Sequence, residues 1–288
     1  MKLLELAYIV LLESGNAPGV NSFIDKKYYD TTVSYSNKVL GFSSIKLKPL
    51  GNTTKAYMGD IDLAISMKDL ANVIGTKNPK TFWSDLDSYL KTKKVKQYVI
   101  SKGLSQFSIA IPMMNSSNVQ QNIISDRNGT VDKKGLAFVQ VDYMIGDVQW
   151  MSDILSSNPD SKYKGAHRNI FLMSILSNIF LHTSGDAGVK KKTQINFKQG
   201  FQIADLGVTP RGRITKSNIK TITKDLSKVA SFLFGKGVTK SDISSFEDMW
   251  KLFKGNKFKF PSQRSAIIID LKRRIQSVKG LDEPDELK

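Results

Sequence analysis

Residues 51–65 read GNTTKAYMGDIDLAI, and this segment is the strongest indication of fold and chemistry in the sequence. Asp60 and Asp62 are separated by one apolar residue, and the apolar residues that follow predict a β-strand beginning at about Asp60. Because side chains alternate along a strand, both carboxylates point to one face, about 7 Å apart along the backbone, while Ile61 and Leu63 point to a core. Two neighbouring carboxylates repel each other unless a cation neutralises them, and hard divalent cations prefer oxygen ligands. The segment therefore predicts a site for a hard divalent cation.

Two further features lie on either side of this pair of acids. The turn Leu50-Gly51-Asn52 is followed by seven residues and then Asp60, and bare backbone N–H groups in such a turn suit phosphate oxygens. Downstream, Asp142 lies inside the apolar, β-rich run FVQVDYMI at 138–145. Asp147 is an alternative third carboxylate, but it follows Gly146 in what reads as the turn that ends the strand. We therefore expect Asp142 to complete the site.

Together these motifs resemble those of the polymerase-beta-like nucleotidyltransferase superfamily. Its signature is an apolar residue, Gly, then Gly or Ser, a gap, and Asp-apolar-Asp/Glu-apolar, with a third carboxylate on a later strand. The resemblance covers about residues 27–182. The chain departs from the signature at Asn52, and Thr53 or Thr54 could supply the missing hydroxyl. The competing interpretation is a half-exposed strand whose acids face solvent.

The resemblance implies an α/β (α+β) fold, with a mixed sheet and flanking helices, and metal-dependent transfer of a nucleoside monophosphate from an NTP or dNTP. An acceptor hydroxyl receives the nucleotide, and pyrophosphate leaves. Asp60, Asp62 and Asp142 would hold one Mg²⁺ that lowers the pKa of this hydroxyl. Asp60 and Asp62 would share a second Mg²⁺ with the triphosphate. The cofactor-binding turn Gly51, Asn52 and Thr53 would surround the β- and γ-phosphates.

A basic cluster begins a later apolar helix, predicted from about Tyr163 to Leu181. By the same resemblance, Lys164 and Arg168 are candidates for contacts with the triphosphate, because residues four apart share a helix face. The alternative is an ordinary charged helix end. The two histidines, His167 and His182, are more typical of structural positions than of catalysis in this chemistry.

The charge of the chain favours a polyanionic partner. The net charge is +17, of which residues 1–150 contribute +5, residues 151–280 contribute +15 and residues 281–288 contribute −3. An excess concentrated in one part of a chain is typical of a nucleic-acid-binding surface. However, 36 of the 43 basic residues are Lys, which an A- and T-rich genome also produces.

Three basic segments of the second half are candidate phosphate contacts: Lys190–Lys192, Pro210–Arg213 and Lys272–Arg274. Such contacts give affinity and salt dependence but do not select a sequence. Nearby aromatic residues could stack on bases, but their spacing suits a core equally well, and core is the prediction. They are Phe197, Phe201, Trp250 and Phe253.

Composition predicts two domains and an acidic tail. We expect a catalytic domain at 1–158, a mainly helical basic domain at 159–280 that binds nucleotide or acceptor, and a disordered tail at 281–288. Helices are predicted at about 2–13, 25–39, 67–75, 79–92, 148–156, 216–233, 242–254 and 262–278. Strands are predicted at 45–48, 95–100 and 104–112, a polar excursion at 113–134, and a hairpin between Lys192 and Thr215.

The sequence leaves the acceptor open. The basic second half favours a nucleic-acid 3′ end, RNA or DNA. The alternatives are nucleotidylation of a protein or small molecule, as in toxin-like or antibiotic-modifying enzymes, and a non-catalytic nucleic-acid-binding protein. The absence of cysteine excludes disulfides and a cysteine nucleophile. Because no apolar run is long enough to cross a bilayer, we expect a soluble, cytoplasmic protein without a membrane partner.

Overall fold

The computed structural model describes residues 24–51, 53, 56–115, 138–156, 158–182, 190–208 and 214–288. These residues divide into two compact units, one that ends at Val148 and one that begins at Gln149. The predicted helix at 2–13 and most of the predicted polar excursion at 113–134 lie outside the described residues. Within the described residues, no helix is long and apolar enough to cross a membrane.

The first unit is built from short strands and helices in alternation. Its strands are β1 (Ile24–Asp25), β2 (Lys48–Pro49), β3 (Tyr57–Met58), β4 (Ile61–Ile65), β5 (Tyr98–Ser101), β6 (Gln106–Pro112) and β7 (Phe138–Ile145). Its helices are α1 (Lys26–Leu40), α2 (Met67–Ile74) and α3 (Phe82–Thr92), and α4 (Val148–Leu155) begins at its end. The predicted helices and the strand around Asp142 are present, with ends shifted by a few residues.

A five-stranded sheet positions the predicted site. The strand order is β2-β4-β7-β6-β5, in which β4 and β7 are parallel and the other neighbours are antiparallel. The predicted mixed sheet with flanking helices is therefore confirmed. A separate pair, β1 with β3, is antiparallel and joins the beginning of α1 to the segment that precedes β4.

One face of this sheet forms the core of the unit. Alternate residues of β4 and β7 point to it and are almost fully buried: Ile61, Leu63, Ile65, Val141, Tyr143 and Ile145. They pack with apolar residues of the helices, such as Leu40, Leu86 and Leu90. Burying each side chain of this size stabilises the fold by about 1.5–3 kcal/mol. The intervening residues of the same strands, including the acids, consequently lie on the opposite face.

The second unit combines helices with an antiparallel sheet of order β11-β10-β9-β8. The strands are β8 (Phe180–His182), β9 (Lys190–Asn196), β10 (Gly200–Val208) and β11 (Ile214–Thr223). The helices are α5 (Gly165–Ser177), α6 (Leu226–Phe234), α7 (Phe246–Lys254) and α8 (Arg264–Gln276). The predicted hairpin is present as β9 and β10. The predicted helix at 216–233 is wrong in its first half, because β-branched Ile and Thr side chains favour the extended backbone of β11.

The acidic tail differs from the disorder predicted for it. Leu287 is buried, and the Tyr163 hydroxyl donates to the carboxylate of Glu286 at 2.6 Å. Lys162 forms an ion pair with Asp285, and its hydrogen bond lowers the pKa of Asp285 to about 2. Acidic composition suggested a solvated tail, whereas in the structure these carboxylates have cationic and hydroxyl partners within the second unit.

Candidate metal centre and nucleotide site

The parallel pairing of β4 with β7 brings three predicted acids together. Asp62 lies directly opposite Asp142 in the register of the two strands, and Asp60 immediately precedes β4. One carboxylate oxygen from each residue lies within 4.8 Å of the others. Asp142 is fully buried, whereas Asp60 and Asp62 are partly exposed. Among the described residues, this cluster contains Asp142 and does not contain Asp147.

The electrostatics of the cluster favour a cation. Burial raises the pKa of Asp62 well above its usual range, and the charges of Asp60 and Asp142 raise it further. Among the described residues, no donor reaches the buried Oδ1 of Asp62. A buried carboxylate oxygen without a donor is unfavourable unless something else compensates it. Three converging carboxylates are the ligand type that Mg²⁺ and Mn²⁺ prefer, so these residues fit such an ion.

A glutamine on the same strand contacts the third acid. Nε2 of Gln140 lies 2.9 Å from Oδ1 and 3.0 Å from Oδ2 of Asp142, so the amide donates to both carboxylate oxygens. Gln140 and Asp142 share a face of β7 because they are two residues apart. Sequence reasoning missed Gln140, although period-two spacing from Asp142 would have identified it.

The predicted phosphate turn is tied to the strand of acids. The backbone N–H of Leu50 donates to the carbonyl of Asp62 at 2.9 Å, immediately before Gly51. Gly51 has φ +70°, which favours glycine, and no described atom lies within 4 Å of where its Cβ would be. With respect to the described residues, the space beside the turn is therefore open. Thr53 is half-buried, and Asn52 lies outside the described residues.

Two residues of α1 reach this region, and sequence reasoning missed both. The backbone N–H of Lys26 donates to Ala56 at 2.9 Å, and its ammonium donates to the carbonyl of Thr53. The Tyr29 hydroxyl is buried and has no partner among the residues that the structure describes. Burial raises its pKa, and the charge of Asp62 raises it further. No local sequence motif identifies either residue, because it is the pairing of β1 with β3 that places them near the glycine turn and the acids.

Lys164 and Arg168 lie in the second unit, at the beginning of α5. The guanidinium of Arg168 is almost fully buried and donates to the carbonyls of Ile154 and Ile243 and to the side chain of Asn169. Burial lowers the pKa of Arg168 to about 10. The ammonium of the exposed Lys164 donates to a backbone carbonyl at 3.0 Å. Contacts of either residue with a nucleotide stay predictions.

The histidines and aromatic residues predicted to be structural lie mostly inside the second unit. His167 is buried, and its Nε2 lies 2.8 Å from the carbonyl of Asp282, while His182 ends β8. The aromatic side chains predicted for the core are buried in three cases, Phe197, Phe201 and Phe253, and half-buried in one, Trp250.

The predicted phosphate contacts of α8 are engaged within the protein. Arg274 is 2% exposed and pairs with Asp270 at 2.7 Å, and Arg273 pairs with the same carboxylate. Lys272 pairs with Glu283 at 3.4 Å. Arg274 therefore lies inside the protein, whereas the side chains of Lys272 and Arg273 are 38% and 59% exposed. The segment 210–213 lies outside the described residues, whereas β9 contains Lys190–Lys192.

Neither a protein-family model nor a curated protein matches this sequence. Among solved structures, the chain is similar to polymerase beta of Leishmania infantum in a ternary P/T complex, with a TM-score of 0.33 and 12% sequence identity. The match covers 72% of this chain and 63% of that chain, which is less than two thirds of the polymerase chain. A similarity this low does not identify the family of the protein.

Proposed function

We propose that the protein is a metal-dependent nucleotidyltransferase of the polymerase-beta-like type. The observation that carries the proposal is the convergence of Asp60, Asp62 and Asp142, whose carboxylate oxygens lie within 4.8 Å of one another. The backbone bond from Leu50 to Asp62 links this cluster to the Gly51 turn. A carboxylate cluster on the strand that pairs beside a glycine turn suits a metal-bound triphosphate.

The carboxylates would hold Mg²⁺ or Mn²⁺, and the bound ions would supply positive charge at the reacting phosphate and lower the pKa of the acceptor hydroxyl. Asp60 and Asp62 would orient the triphosphate from the exposed side of the cluster. Asp142 would fix the position of the acceptor oxygen. The hydroxyl would lose its proton to solvent, its oxygen would form a bond to the α-phosphorus, the bond from the α-phosphorus to the bridging oxygen would break, and pyrophosphate would leave.

The turn and α1 would bind the remaining phosphates. Gly51 allows close approach because it has no side chain, and Thr53 offers its backbone and hydroxyl. Lys26 adds a cation whose ammonium already contacts this turn. Tyr29 adds a buried hydroxyl near the acids, which suits a donor to a bound anion. These groups suit the charge of a nucleoside triphosphate but do not distinguish between bases.

The acceptor we propose is single-stranded nucleic acid, either RNA or DNA. The charge of +15 on residues 151–280, against +5 on residues 1–150, supports this choice. The described strands β8 to β11 add a local argument, because they contain five lysines and one acid, Asp205. The phosphate backbone of a nucleic acid is attracted to such a basic surface and releases counterions when it binds.

One face of this sheet has side chains suited to binding single-stranded nucleic acid, and we call it the glutamine face. It comprises residues that pair across the strands or alternate along them: Phe180, Lys192, Gln194, Gln202, Lys216 and Thr221. Gln194 donates to Gln202 at 2.9 Å, and Lys216 donates to Gln194 at 2.6 Å. Phe180 is 40% exposed, and the ammonium of Lys192 lies 5.6 Å from its ring centre. An exposed aromatic ring beside lysines and amides suits base stacking with phosphate contacts.

The opposite face of the sheet packs inside the second unit. The hydroxyl of Thr193 donates to a carbonyl of α5, and the rings of Phe201 and Phe232 lie 5.2 Å apart. The helices therefore pack against the opposite face, whereas the glutamine face combines the exposed Phe180 and Lys216 with Gln202, which is 4% exposed.

The proposal is tested by incubating the protein with each labelled NTP and dNTP, Mg²⁺ or Mn²⁺, and mixed RNA and DNA, followed by gel electrophoresis. We expect labelled nucleic acid from the wild type and none from Asp60→Ala or Asp62→Ala. Asp30→Ala, an exposed acid of α1 outside the cluster, is the matched control and should remain active. Labelling of protein or a small molecule instead would support the alternative acceptors. Activity of Asp60→Ala or Asp62→Ala near that of the wild type would refute the assignment of the site.

A further inference from the structure

The environment of Asp142 differs from that of the other two acids. Asp142 is 0% exposed and Gln140 is 1% exposed, so both side chains are inside the protein. The two hydrogen bonds between them, at 2.9 and 3.0 Å, involve both oxygens of the carboxylate. Asp62, by contrast, has a buried oxygen to which no described group donates.

The backbone holds the two residues in a fixed relation. Both belong to β7, where Gln140 pairs with Ala110 of β6 and Asp142 pairs with Ser108 of the same strand. On its other side, Asp142 pairs with Asp62 of β4. Neither backbone can shift without breaking the ladder, so the amide and the carboxylate stay in register.

The chemistry of the pair suits a metal ligand. A carboxylate oxygen has two lone pairs, so a hydrogen bond to each oxygen leaves capacity for a cation. An amide is neutral and fixes the carboxylate without cancelling its charge, which an Arg or Lys at this position would do. Residues that hydrogen-bond to metal ligands orient them and tune the affinity of the site.

We propose that Gln140 is a positioning residue that holds the Asp142 carboxylate in the orientation needed to bind a divalent cation. This inference rests on the proposed metal site. Gln140 would act through Asp142 and would touch neither the nucleotide nor the acceptor.

The test is a calorimetric Mn²⁺ titration of the full chain without nucleotide, with Gln140→Leu and Gln140→Asn. Gln140→Leu keeps the volume but removes the donor, and Gln140→Asn keeps an amide but shortens its reach. We expect Gln140→Leu to bind Mn²⁺ about 10 to 100 times more weakly than the wild type, and Gln140→Asn to show a smaller loss. With nucleotide and acceptor present, kcat should fall while the KM for nucleotide stays nearly unchanged.

Tyr143→Phe is the matched control. Tyr143 follows Asp142 in β7, so its side chain points to the opposite face of the sheet, where its hydroxyl forms a buried hydrogen bond with Ser36 at 2.7 Å. This variant should melt at a lower temperature but bind Mn²⁺ as the wild type does.

The outcomes separate the positioning role from the proposed function. Wild-type protein that fails to bind Mn²⁺ would overturn the metal site, whatever the variants do. Wild-type affinity in both folded Gln140 variants, or an equal loss of affinity in Tyr143→Phe, would overturn the positioning role alone. Failure of both Gln140 variants to fold would assign Gln140 to the stability of β7 and overturn the proposal.

Discussion

At the scale of single residues, the site combines unfavourable charges with groups suited to a ligand. Asp62 is the clearest case, because its pKa is raised by burial and by two neighbouring carboxylates. A group whose pKa is higher in the folded than in the unfolded state destabilises the fold increasingly as the pH rises through the folded pKa. Its unfavourable contribution is absent below the unfolded pKa, which is about 3.9 for Asp.

We therefore expect Asp62→Asn to stabilise the metal-free protein at neutral pH while abolishing activity. The melting temperature in EDTA should rise by about 2–4 °C for each kcal/mol of repulsion removed. The difference should shrink as the pH is lowered, because wild-type Asp62 then becomes protonated. In saturating Mn²⁺ the order should reverse, since the ion stabilises only a protein that binds it. Thermal melting with EDTA or Mn²⁺ at several pH values measures this, and a lower melting temperature of Asp62→Asn in EDTA at every pH would contradict it.

Lys26 offers a second test at this scale. Lys26→Met should raise the KM for nucleotide about 10- to 150-fold, because a hydrogen bond to a charged phosphate contributes about 1.5–3 kcal/mol. Lys27→Met is the control: Lys27 follows in α1 but pairs with Asp25 at 3.3 Å. Steady-state kinetics should show no change for the control. An equal rise of KM in both variants would indicate a general effect of charge.

At the scale of elements, the site depends on where β4 begins and on the turn before it. Gly51 and Gly75 both have left-handed backbone angles, with φ +70° and +76°, and no described atom lies within 4 Å of where a Cβ would be at either position. Gly75 ends α2, whereas Gly51 precedes the acids. Both glycines therefore need the left-handed backbone conformation, but only Gly51 lies near the acids.

Gly51→Ala and Gly75→Ala should consequently destabilise the protein similarly, by about 1 kcal/mol, because Ala disfavours the left-handed region. Only Gly51→Ala should raise the KM for nucleotide, since its methyl group occupies the space where a phosphate would approach. Chemical unfolding and steady-state kinetics of the two variants distinguish these effects. Equal KM values for Gly51→Ala and the wild type would contradict the placement of the phosphates. Asn52→Ser, which restores the residue usual in the superfamily, should be tolerated.

At the scale of the whole molecule, charge is concentrated in residues 151–280. The structure changes which of these charges can meet a nucleic acid. Arg274 is buried against Asp270, so replacing it would test stability rather than binding. The glutamine face instead presents Lys216, which is exposed, together with Lys192 and Phe180.

We expect the double variant Lys192→Gln/Lys216→Gln to bind a single-stranded oligonucleotide more weakly and with a flatter salt dependence. Two lost phosphate contacts should reduce the slope of log K against log salt by about 1.4. Phe180→Ala should lower affinity about tenfold with little change of slope, because stacking is not ionic. Lys236→Gln/Lys251→Gln, two exposed lysines outside the sheet, is the matched control. Fluorescence anisotropy between about 50 and 200 mM salt measures both quantities.

If the control Lys236→Gln/Lys251→Gln binds the oligonucleotide as weakly as Lys192→Gln/Lys216→Gln does, net charge alone governs binding. No binding of RNA or DNA by the wild type at about 50 mM salt would refute a nucleic-acid acceptor and favour a protein or small molecule.

The sequence by itself determined the local geometry of the site. Period-two spacing put Asp60 and Asp62 on one face, and the apolar run around Asp142 predicted a strand, because alternation is a property of any extended backbone. The strand β11 was missed because its lysines and polar residues obscured the β-branched pattern. Placing Gln140 beside Asp142 required only the same spacing rule.

Tertiary structure alone decided the rest. Asp62 and Asp142 are distant in the chain and meet because β4 and β7 pair in parallel register. The pairing of β1 with β3 brings Lys26 to the glycine turn, and packing buries Arg168 although its helix position suggested an exposed cation. Local periodicity reports which way a side chain points along its own element. Which elements become neighbours depends on pairing and burial between distant segments, which no local pattern specifies.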